Sequence, residues 1–388
     1  MKIGVLTSLY PAPQRPFEGV FAERRWLGMK ARGHSVRVVH TLPWAPGFVG
    51  GWRAELRAMP SYEDRSGIPV VRPRYLHVPK LPRRNARAFA KVGVTTLLAG
   101  ERPDVVIADY AWPASQAVHE LAEHGIPCVV HGRGSDVLEV AGEAGLGDEL
   151  ALNLKASAGW CAVSLDLLAT MDRLGEAPGR GVLTPNGVEF DVFHPRDREA
   201  CRRELGQALE GQLVLVVGHL IRRKDPLLAL EAFARHAPES ARLAFLGRGE
   251  LKAELEARVA ELGLGARVEL VGEVHPSQLA TWYGASDALL LTSSREGRPN
   301  VVIESLASGR PAIATSAGGT AELLRGMEER LLVTEREADA VGRKLAGILA
   351  DPPTTSAIRA LVEHLSWDSS LAALEKVLET ASAVRVSS

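Results

Sequence analysis

The sequence is poor in cysteine and has no long hydrophobic run. Its 388 residues include three cysteines, Cys128, Cys161 and Cys201, which are far apart and never form a C-x-x-C pair. Such a set supports neither a disulfide framework nor a structural zinc site. No apolar run approaches the roughly 18 residues of a membrane-spanning helix, and the N-terminus lacks the features of a signal peptide. We therefore expect a cytoplasmic chain that is neither secreted nor integral to a membrane.

Two common nucleotide-binding motifs are also missing. The first apolar run, at 2–7, is followed by a segment with one glycine, Gly19, where a dinucleotide-binding domain would have a G-x-G-x-x-G turn. No G-x-x-x-x-G-K-[ST] phosphate loop occurs anywhere in the sequence. These absences argue against hydride transfer to NAD and against ATP hydrolysis at a P-loop.

A formal net charge of −1 hides two ends of opposite charge. Residues 1–100 hold 17 Lys and Arg against 5 Asp and Glu, a balance of +12, whereas the remaining residues hold 29 against 42, a balance of −13. Such opposed ends indicate that the first part of the chain meets something anionic. Nucleic acid, acidic lipid headgroups and phosphorylated small molecules all fit this pattern.

Short β-branched runs alternate with amphipathic segments, which predicts an α/β fold built on parallel sheets. A first series of strands is predicted at 2–7, 35–40, 104–109, 126–131 and 160–164. A second series is predicted at 212–218, 242–247, 267–272, 288–293 and 311–316. Helices are predicted at 113–124, 165–174, 226–236, 250–262, 276–285 and 300–308.

The length and the two series of strands predict two domains. Between the series, the segment 183–195 is interrupted by prolines and an Asn-Gly pair. We therefore expect Rossmann-like domains over 1–190 and 191–366, with a terminal helix at 367–388 that returns to the first. Ligands of such sheets bind beyond the carboxyl ends of the strands, so a cleft between the domains is expected.

The most informative segment is 292–319. It passes from a predicted strand through a glycine- and proline-rich loop into a short helix near Pro299. Glu296 lies in the loop, and Glu304 lies eight positions later in the helix. A loop carboxylate can accept hydrogen bonds from sugar hydroxyls, and one on the helix can hold a ribose diol. Backbone N–H groups at the helix start would face a diphosphate.

This segment resembles the E-x7-E element of retaining glycosyltransferase family 4, whose members have the GT-B fold. Other segments resemble the family in the family's order: 131–136, 185–193, 217–233, 245–251 and 270–279. The chain is similar in particular to glycosyltransferases of bacterial cell-surface polysaccharides, including the teichuronic-acid type. The resemblance implies an α/β, GT-B architecture of two Rossmann-like parallel-sheet domains facing across a cleft.

The resemblance assigns roles to side chains of the second domain. Glu296, with Gly297 beside it, matches the position that contacts the donor sugar, and Glu304 matches the position that binds the nucleotide ribose. Lys224 matches the lysine that pairs with the diphosphate, where a cation stabilises the leaving group as charge develops. The alternative is a set of solvated charges on the surface.

The family arginine that precedes this lysine is absent, because Gly218 is followed by His219. Either His219 hydrogen-bonds a phosphate, or Arg222 or Arg223 supplies the missing cation. The sequence leaves this choice open, and we count Gly218, His219 and Arg223 among the donor-binding candidates.

Main-chain contacts with the donor are implied at four further positions. Asn300 and Val301, at the helix start, would offer backbone N–H groups to phosphate, and Val274 lies where relatives bind the base. Gly19 resembles the flexible glycine loop that meets the donor phosphates or the acceptor. A glycine that simply starts the first long helix would look the same.

His131 completes the catalytic candidates, with Glu296 and Lys224. It ends a predicted strand and is followed by glycines, which let the backbone approach a ligand closely. The resemblance places it in the cleft near the reacting sugar, and Asp136 would orient the same loop. The alternative is a structural histidine of the core.

The mechanism implied by the resemblance is retaining hexosyl transfer without metal or cofactor. An acceptor hydroxyl attacks the anomeric carbon on the face that the diphosphate leaves, and no covalent nucleophile is expected. Family frequency alone favours UDP over GDP. The competing hypotheses are a catalytically idle GT-B scaffold and a nucleotide-sugar epimerase of the same fold. A nucleic-acid-binding protein fits poorly, because the arginines are dispersed and no recognised binding motif occurs.

The basic first hundred residues interleave arginines with aromatic side chains in 41–59 and 70–92. The aromatic residues are Trp44, Phe48, Trp52, Tyr75 and Phe89. Aromatics and cations together are typical of peripheral attachment to anionic lipid. We therefore expect this domain to dock on the inner face of the cell membrane and to bind a sugar or a lipid-linked acceptor. The alternative is a solvated basic face.

Overall fold

The computed structural model describes residues 1–44, 46 and 52–383. Phe48, the side chain of Trp52 and residues 384–388 of the expected terminal helix lie outside this part. The chain divides into two compact units. Unit 1 is Met1–Asn186 together with the C-terminal segment from Trp367, and unit 2 is Gly187–Ser366.

Unit 1 contains an eight-stranded sheet in the order β10-β9-β8-β7-β1-β2-β5-β4, and β3 pairs with β6 beside it. All neighbours in the large sheet are parallel except β4 and β5. The strands are β1 (Lys2–Thr7), β2 (Ser35–His40), β3 (Leu42–Trp44), β4 (Tyr62–Arg65), β5 (Ile68–Val71), β6 (Arg74–Leu76), β7 (Val105–Asp109), β8 (Cys128–Gly132), β9 (Gly159–Ala162) and β10 (Val182–Leu183).

Helices cover both faces of this sheet, which is why its central strands are continuous apolar runs. All five residues of β7 are buried. The helices are α1 (Val20–Ala31), α2 (Trp52–Ala58), α3 (Pro82–Leu98), α4 (Ala111–Ala114), α5 (Val118–Glu123), α6 (Ser135–Gly142), α7 (Leu146–Ala156) and α8 (Leu165–Leu174), with a 3-10 turn at Ser115–Ala117.

The terminal helix, Trp367–Ala383, belongs to unit 1. Its buried face carries Leu371, Leu374 and Leu378, which join the same core cluster as Trp26. A Cβ added to Gly28 in α1 would lie 2.5 Å from Leu371 Cδ1, so a side chain there would displace the side chain of Leu371. Glycine therefore permits the close packing of these two helices.

Unit 2 contains a six-stranded parallel sheet in the order β13-β12-β11-β14-β15-β16. Its strands are β11 (Leu213–Val217), β12 (Arg242–Leu246), β13 (Val268–Gly272), β14 (Ala288–Leu291), β15 (Ala312–Thr315) and β16 (Leu332–Val333). Its helices are α9 (Arg198–Glu204), α10 (Pro226–His236), α11 (Lys252–Glu261), α12 (Pro276–Ala285), α13 (Asn300–Ala307), α14 (Thr320–Leu323), α15 (Glu328–Leu331), α16 (Ala338–Ala350) and α17 (Thr355–Ala360). The terminal helix of unit 1 is α18.

The structure differs from the predicted elements at two places. The helix predicted over 113–124 consists of consecutive pieces, the end of α4, the 3-10 turn at Ser115–Ala117 and α5, and it ends at Glu123. Trp112, which precedes Pro113 and the predicted start, has non-helical dihedral angles of −110° and 129°. The basic segment 70–92 contains the end of β5, the strand β6 and the first part of α3, none of which was among the predicted elements.

Candidate active site

The candidate donor site of unit 2 lies where β11 and β14 end. These strands are neighbours and parallel, so the loops that follow them emerge at one edge of the sheet. Hydrogen bonds join the two loops: Thr292 Oγ1 donates to the carbonyl of Lys224 at 3.1 Å, and Ser294 N donates to the carbonyl of Arg223 at 2.8 Å. Two segments that are about 70 residues apart in sequence are therefore held together.

Lys224 and Glu296 form an ion pair in these loops. Lys224 Nζ lies 2.5 Å from Glu296 Oε1, and the glutamate is 7% exposed. Burial of a carboxylate is costly unless a cation compensates it, and Lys224 supplies that compensation. Arg223 Nη1 lies 3.9 Å from the other carboxylate oxygen and donates to the carbonyl of Arg295 at 3.2 Å. The structure thus brings Lys224, Arg223 and Glu296 together.

The three alternatives for the missing family arginine occupy different surroundings. His219 and Arg222 are exposed, whereas Arg223 is half-buried against the Glu296 loop. Which of them meets a phosphate stays a prediction.

Glycine is required where the loop after β11 passes the loop after β12. Gly218 has a φ of +138°, and a Cβ added to Gly247, whose φ is +151°, would lie 2.0 Å from the carbonyl oxygen of Gly218. A side chain at Gly247 would push the two loops apart. The position of Gly218 at the strand end therefore depends on a second glycine that the sequence analysis did not single out.

Glu304 is held by Tyr283, a residue that the sequence analysis missed. Tyr283 lies in α12 and is completely buried, and its hydroxyl donates to Glu304 Oε2 at 3.1 Å. Burial, and then the charge of Glu304, raises the pKa of Tyr283 well above its usual range, so the phenol stays a donor. Glu304 is half-buried in α13. No motif marks this tyrosine, because it lies inside a helix 21 residues before its partner.

The remaining candidates for main-chain contact also lie at strand ends or helix starts. Asn300 and Val301 form the first turn of α13 and are half-buried, as is Val274, two residues after β13. At the start of this helix, Val302 N donates to the carbonyl of the N-cap residue Pro299 at 3.1 Å.

The Glu296 loop is packed against the Gly-Gly turn that follows β15. Gly319 N donates to the carbonyl of Gly297 at 2.8 Å, and a Cβ added to Gly318 would lie 1.9 Å from the carbonyl oxygen of Glu296. Gly318 also has a φ of +52°. The Gly-Gly turn ends the segment 292–319, but only the structure shows that it supports the backbone of Glu296.

His131, the histidine candidate of unit 1, is 0% exposed and has partners at both ring nitrogens. Nδ1 lies 3.0 Å from Asp109 Oδ1, and Nε2 lies 3.2 Å from Thr184 Oγ1. Burial, and then Arg133, lowers the pKa of His131 to about 3. Burial alone would raise the pKa of Asp109, but Arg133, His131 and Arg25 together hold it well below its usual range. This environment matches the structural alternative, and contact with a sugar stays a prediction.

Asp136 orients the turn that follows His131. Its carboxylate accepts hydrogen bonds from the backbone N–H groups of Ala111 at 2.5 Å, Arg133 at 3.0 Å and Gly134 at 2.6 Å. Burial raises its pKa to about 7 despite these bonds. The carboxylate therefore fixes the path of the backbone between β8 and α6.

Gly19 is the N-cap residue of α1 and has a φ of +77°. A Cβ at this position would lie 3.1 Å from Tyr10 Cα, so Gly19 is packed against the segment that follows β1. Gly19 and His131 belong to unit 1, whereas the other site candidates belong to unit 2.

The described residues contain neither a metal-binding cluster nor a helix that could span a membrane. There, no three His, Cys, Asp or Glu side chains are grouped so that they could hold a metal ion. Within the same ranges, no helix combines the length and the apolar character that crossing a membrane requires.

The chain has two Rossmann-like units, and unit 2 carries a cation and two glutamates at the end of its sheet. This combination defines a glycosyltransferase of the GT-B fold. Family models match both units: residues 19–187 match the glycosyl transferase 4-like domain, and residues 197–362 match glycosyl transferases group 1. The chain belongs to this family, the family 4 or group 1 glycosyltransferases. The predicted family and fold class are confirmed.

Related sequences support the same assignment. The chain is 30% identical over 359 residues to TuaC of Bacillus subtilis (strain 168), named as a teichuronic acid biosynthesis glycosyltransferase, and the match covers 89% of this chain and 88% of TuaC. It is 28% identical over 343 residues to the D-inositol 3-phosphate glycosyltransferase of Geodermatophilus obscurus. That match covers 85% of this chain and 63% of the other protein.

Solved structures share the fold at lower identity. The sucrose-phosphate synthase of Thermosynechococcus elongatus has a TM-score of 0.79 at 21% identity, with 99% of both chains covered. HepE of Anabaena, solved in complex with UDP, has a TM-score of 0.75 at 17% identity, with 98% of this chain and 100% of that chain covered. At these identities the likeness establishes the fold alone.

Proposed function

We propose that this glycosyltransferase moves a hexose from a nucleoside diphosphate sugar to an acceptor hydroxyl with retention of the anomeric configuration. The bond between the anomeric carbon and the diphosphate oxygen breaks, and a bond between that carbon and the acceptor oxygen forms on the same face. The departing diphosphate takes the proton of the acceptor hydroxyl. The reaction needs no enzyme nucleophile, metal or cofactor.

The observation that carries the proposal is the contact between Lys224 and Glu296 at the end of the unit 2 sheet. It places a cation and a carboxylate in one site, and a nucleotide-sugar has complementary groups: an anionic diphosphate and a hydroxyl-bearing sugar. Glu296, which is 7% exposed, accepts hydrogen bonds from sugar hydroxyls, and Lys224 attracts the diphosphate. The carboxylate and the cation thus bind opposite parts of one substrate.

The charge that develops on the leaving diphosphate is stabilised from two directions. Lys224 acts from the loop after β11, and backbone N–H groups at Asn300 and Val301 act from the start of α13, where the helix dipole favours an anion. Glu304, one turn further, binds the ribose diol and is held in place by Tyr283. These groups are preorganised on a sheet edge and a helix, so little reorganisation is needed during the reaction.

The named relatives support the donor class and the process. HepE was solved with UDP and also with UDP-glucose, which favours a uridine nucleotide over a guanosine nucleotide here. TuaC is named for teichuronic acid biosynthesis, which favours a role in cell-surface polysaccharide or glycolipid assembly.

Product stereochemistry and ligand-dependent stability test the proposal. A thermal-shift panel of UDP, GDP, ADP and their glucose conjugates identifies the donor, because a ligand that binds only the folded state raises Tm. NMR of the product formed from the donor so identified should show the anomeric configuration of the donor. An inverted product contradicts the mechanism, and donor binding without transfer or hydrolysis across an acceptor panel supports the idle scaffold instead.

We also propose that unit 1 docks peripherally on the inner face of the cell membrane. Three large apolar side chains are exposed near the start of α3: Trp44 by 51%, Leu76 by 57% and Leu81 by 44%. Trp44 lies opposite Leu76 in the β3–β6 pair. Lys80 and Arg84 are exposed beside Leu81 in the chain. Apolar side chains next to cations suit the interface of an anionic bilayer.

Co-sedimentation with vesicles tests this docking. The full chain should bind phosphatidylglycerol vesicles, and the double variant Trp44→Ser, Leu76→Ser should bind them at least about tenfold more weakly because two apolar contacts are lost. Leu152→Ser is the matched control, since Leu152 is 59% exposed in α7 of the same unit. No binding at low salt, or equal loss in the control, contradicts the proposal.

A further inference from the structure

A group of polar side chains, most of them buried and two of them arginines, lies at the carboxyl edge of the unit 1 sheet, outside the donor site described above. The strands β1, β2 and β5 are successive neighbours in that sheet. Tyr10 follows β1, His40 ends β2, and Arg72 directly follows β5. Arg74, which begins β6, lies two residues further. We call Tyr10, His40, Arg72 and Arg74 the carboxyl-edge cluster.

Three members of the cluster, Tyr10, His40 and Arg72, lie on one face of the sheet. Side chains alternate between faces along a strand, so His40 shares the face of Val38, and Arg72 shares the face of Val70. Val38 and Val70 belong to the same core cluster as Tyr10. The three strand ends therefore direct Tyr10, His40 and Arg72 to the same side of the sheet, at the edge where ligands of parallel α/β sheets bind.

Several polar atoms of the cluster are buried without a hydrogen-bond partner. Tyr10, His40 and Arg72 are 1%, 3% and 1% exposed, and Arg74 is half-buried. Within the described ranges, no partner is found for Tyr10 Oη, His40 Nδ1, Arg72 Nε, Arg72 Nη1 or Arg74 Nη1. Each unsatisfied buried group is costly, more so on a charged side chain, and native proteins keep few of them.

The charge of the cluster is only partly compensated. Arg72 Nη2 lies 2.8 Å from Glu63 Oε2, but the other oxygen of that carboxylate is 3.0 Å from Arg65 Nη1. Arg74 makes no ion pair within the part of the chain that the structure describes; its Nη2 donates to the carbonyl of Met59 at 2.8 Å. A buried guanidinium needs acceptors for its N–H groups, and carboxylates and phosphates match its geometry best. The N–H groups of Arg72 and Arg74 that have no partner are therefore suited to an anion.

The electrostatics of His40 agree with this geometry. Its Nε2 lies 3.3 Å from the carbonyl oxygen of Ser8, which assigns the ring proton to Nε2. Burial, followed by the charges of Arg72 and Arg74, lowers the pKa of His40 to about 3. The surroundings of the ring are therefore positive.

We propose that the carboxyl-edge cluster is the subsite of unit 1 that binds an anionic group of the acceptor, a phosphate or a carboxylate. Arg72 and Arg74 donate hydrogen bonds to the oxyanion, and the hydroxyl of Tyr10 donates a third. This inference rests on the proposed function, because it assumes that unit 1 binds the acceptor. It adds that the acceptor is a charged glycan or glycolipid, which also accounts for part of the positive charge of the first hundred residues.

A binding experiment with simple anions tests the subsite in the full chain. Tm is measured with increasing inorganic phosphate, D-glucuronate or D-glucose, with ionic strength held constant with chloride. We expect phosphate or glucuronate, but not glucose, to raise Tm. The anion that binds more tightly indicates whether the acceptor carries a phosphate or a carboxylate.

Substitutions inside and outside the carboxyl-edge cluster show whether the anion binds there. Arg74→Gln should weaken the binding of that anion at least tenfold, and Tyr10→Phe should weaken it severalfold without loss of a charge. Arg173→Gln, at an exposed position of α8 in the same unit, removes the same charge outside the cluster and should leave the affinity unchanged. Arg72 is avoided as the first variant because its burial makes loss of folding a confounding result.

The outcomes separate the inference from the proposed function. If neither anion raises Tm more than chloride, the cluster holds water only and the inference is wrong. It is also wrong if the response persists in Arg74→Gln and disappears in Lys224→Ala, since the anion then binds the donor site. In both cases a Tm increase with a nucleotide-sugar leaves the proposed function intact, whereas a wild-type chain that binds no nucleotide-sugar overturns that function itself.

Discussion

Lys224 Nζ lies 2.5 Å from Glu296 Oε1, although 72 residues separate the two in the chain. The contact joins the two segments on which the family resemblance depends. Because Glu296 is buried and Lys224 is half-buried, each side chain determines the electrostatic surroundings of the other. A substitution at either position is therefore expected to affect more than one step of donor binding.

Lys224→Ala should lower kcat/KM at least about a hundredfold, because the variant loses the cation that stabilises the leaving diphosphate. It also leaves the carboxylate of Glu296 without its closest cation, so the donor loop is disturbed as well. Lys252→Ala, an exposed lysine of α11 in the same unit, is the matched control and should keep wild-type turnover. Wild-type turnover of Lys224→Ala with saturating donor would refute the assignment.

Glu304→Gln should raise the KM for the donor by about tenfold or more, because a carboxylate that accepts two ribose hydroxyls is replaced by a weaker acceptor. Tyr283→Phe should raise KM only a fewfold, since Tyr283 acts by positioning Glu304. The double variant should show no additional effect from Tyr283→Phe once the carboxylate is gone. Steady-state kinetics with varied donor concentration measures all three, and additive effects of the two changes would argue against the positioning role.

The fold and the donor loop could be predicted from local patterns, but their long-range contacts could not. The alternation of strands and helices and the spacing of Glu296 and Glu304 are local features, and they suffice for the α/β class and for the E-x7-E segment. The contact of Tyr283 with Glu304 depends on how α12 packs against α13, which no single motif encodes. The burial of a side chain is also not encoded in the neighbouring residues. The sequence around His131 fits a histidine that faces a ligand, but in the structure His131 is 0% exposed and lies beside Asp109.

The count of charged residues predicts an anionic partner for the first hundred residues, but it does not show which of their arginines are buried. By charge alone, Arg84 and Arg72 are equivalent. In the structure Arg84 is exposed, whereas Arg72 is only 1% exposed. The difference arises because Arg72 directly follows a sheet strand and Arg84 lies in a surface helix turn. Only the strand order shows that His40 and Arg72 end neighbouring strands.

Gly318→Ala should lower transferase activity by about tenfold or more, because the added Cβ would lie 1.9 Å from the carbonyl oxygen of Glu296 and must displace that backbone. The positive φ of Gly318 adds strain of about 1 kcal/mol for a residue with a side chain. Gly265→Ala is the control, since nothing lies within 4 Å of a Cβ there. Thermal unfolding separates the two effects, and unchanged kcat/KM in Gly318→Ala would show that the loop tolerates the displacement.

Arg25→Met should destabilise unit 1 by about 3 kcal/mol, because it removes a buried cation together with all the hydrogen bonds that this cation donates. Arg25 is 0% exposed and donates to the carbonyl of Thr184, to Asn186 Oδ1 and to Ser370 Oγ, so it links α1, the segment after β10 and α18. Arg173→Met, at an exposed position of α8, should change stability little. Urea unfolding followed by circular dichroism measures both, and equal midpoints for the two variants would contradict this role.

Because two histidines are buried in the folded chain, we expect the free energy of unfolding to decrease as the pH falls from 7 to 5. Burial lowers the pKa of His40 and of His131 to about 3 in the folded state, against about 6.5 in the unfolded chain. Between these values the unfolded chain binds a proton at each ring and the folded chain does not, so protonation favours unfolding. Each histidine is expected to cost up to about 2 kcal/mol at pH 5. Asp136 offsets part of this loss, because its pKa is raised to about 7 on folding and the folded chain takes up a proton there over the same range. Asp109 does not affect this range, because its pKa is lowered on folding and its contribution is lost only well below pH 5.

Urea unfolding in phosphate-free buffer at pH 7 and at pH 5 measures how much the free energy of unfolding decreases between the two pH values. His40→Gln removes one of the two proton sites and should reduce the difference in unfolding free energy between the two pH values by up to about 2 kcal/mol. His119→Gln, at an exposed position of α5, changes the same residue type in a solvated place and should leave the difference as it is. If His40→Gln and His119→Gln behave alike, the acid sensitivity arises elsewhere, and His40 is protonated as easily in the folded chain as in the unfolded one.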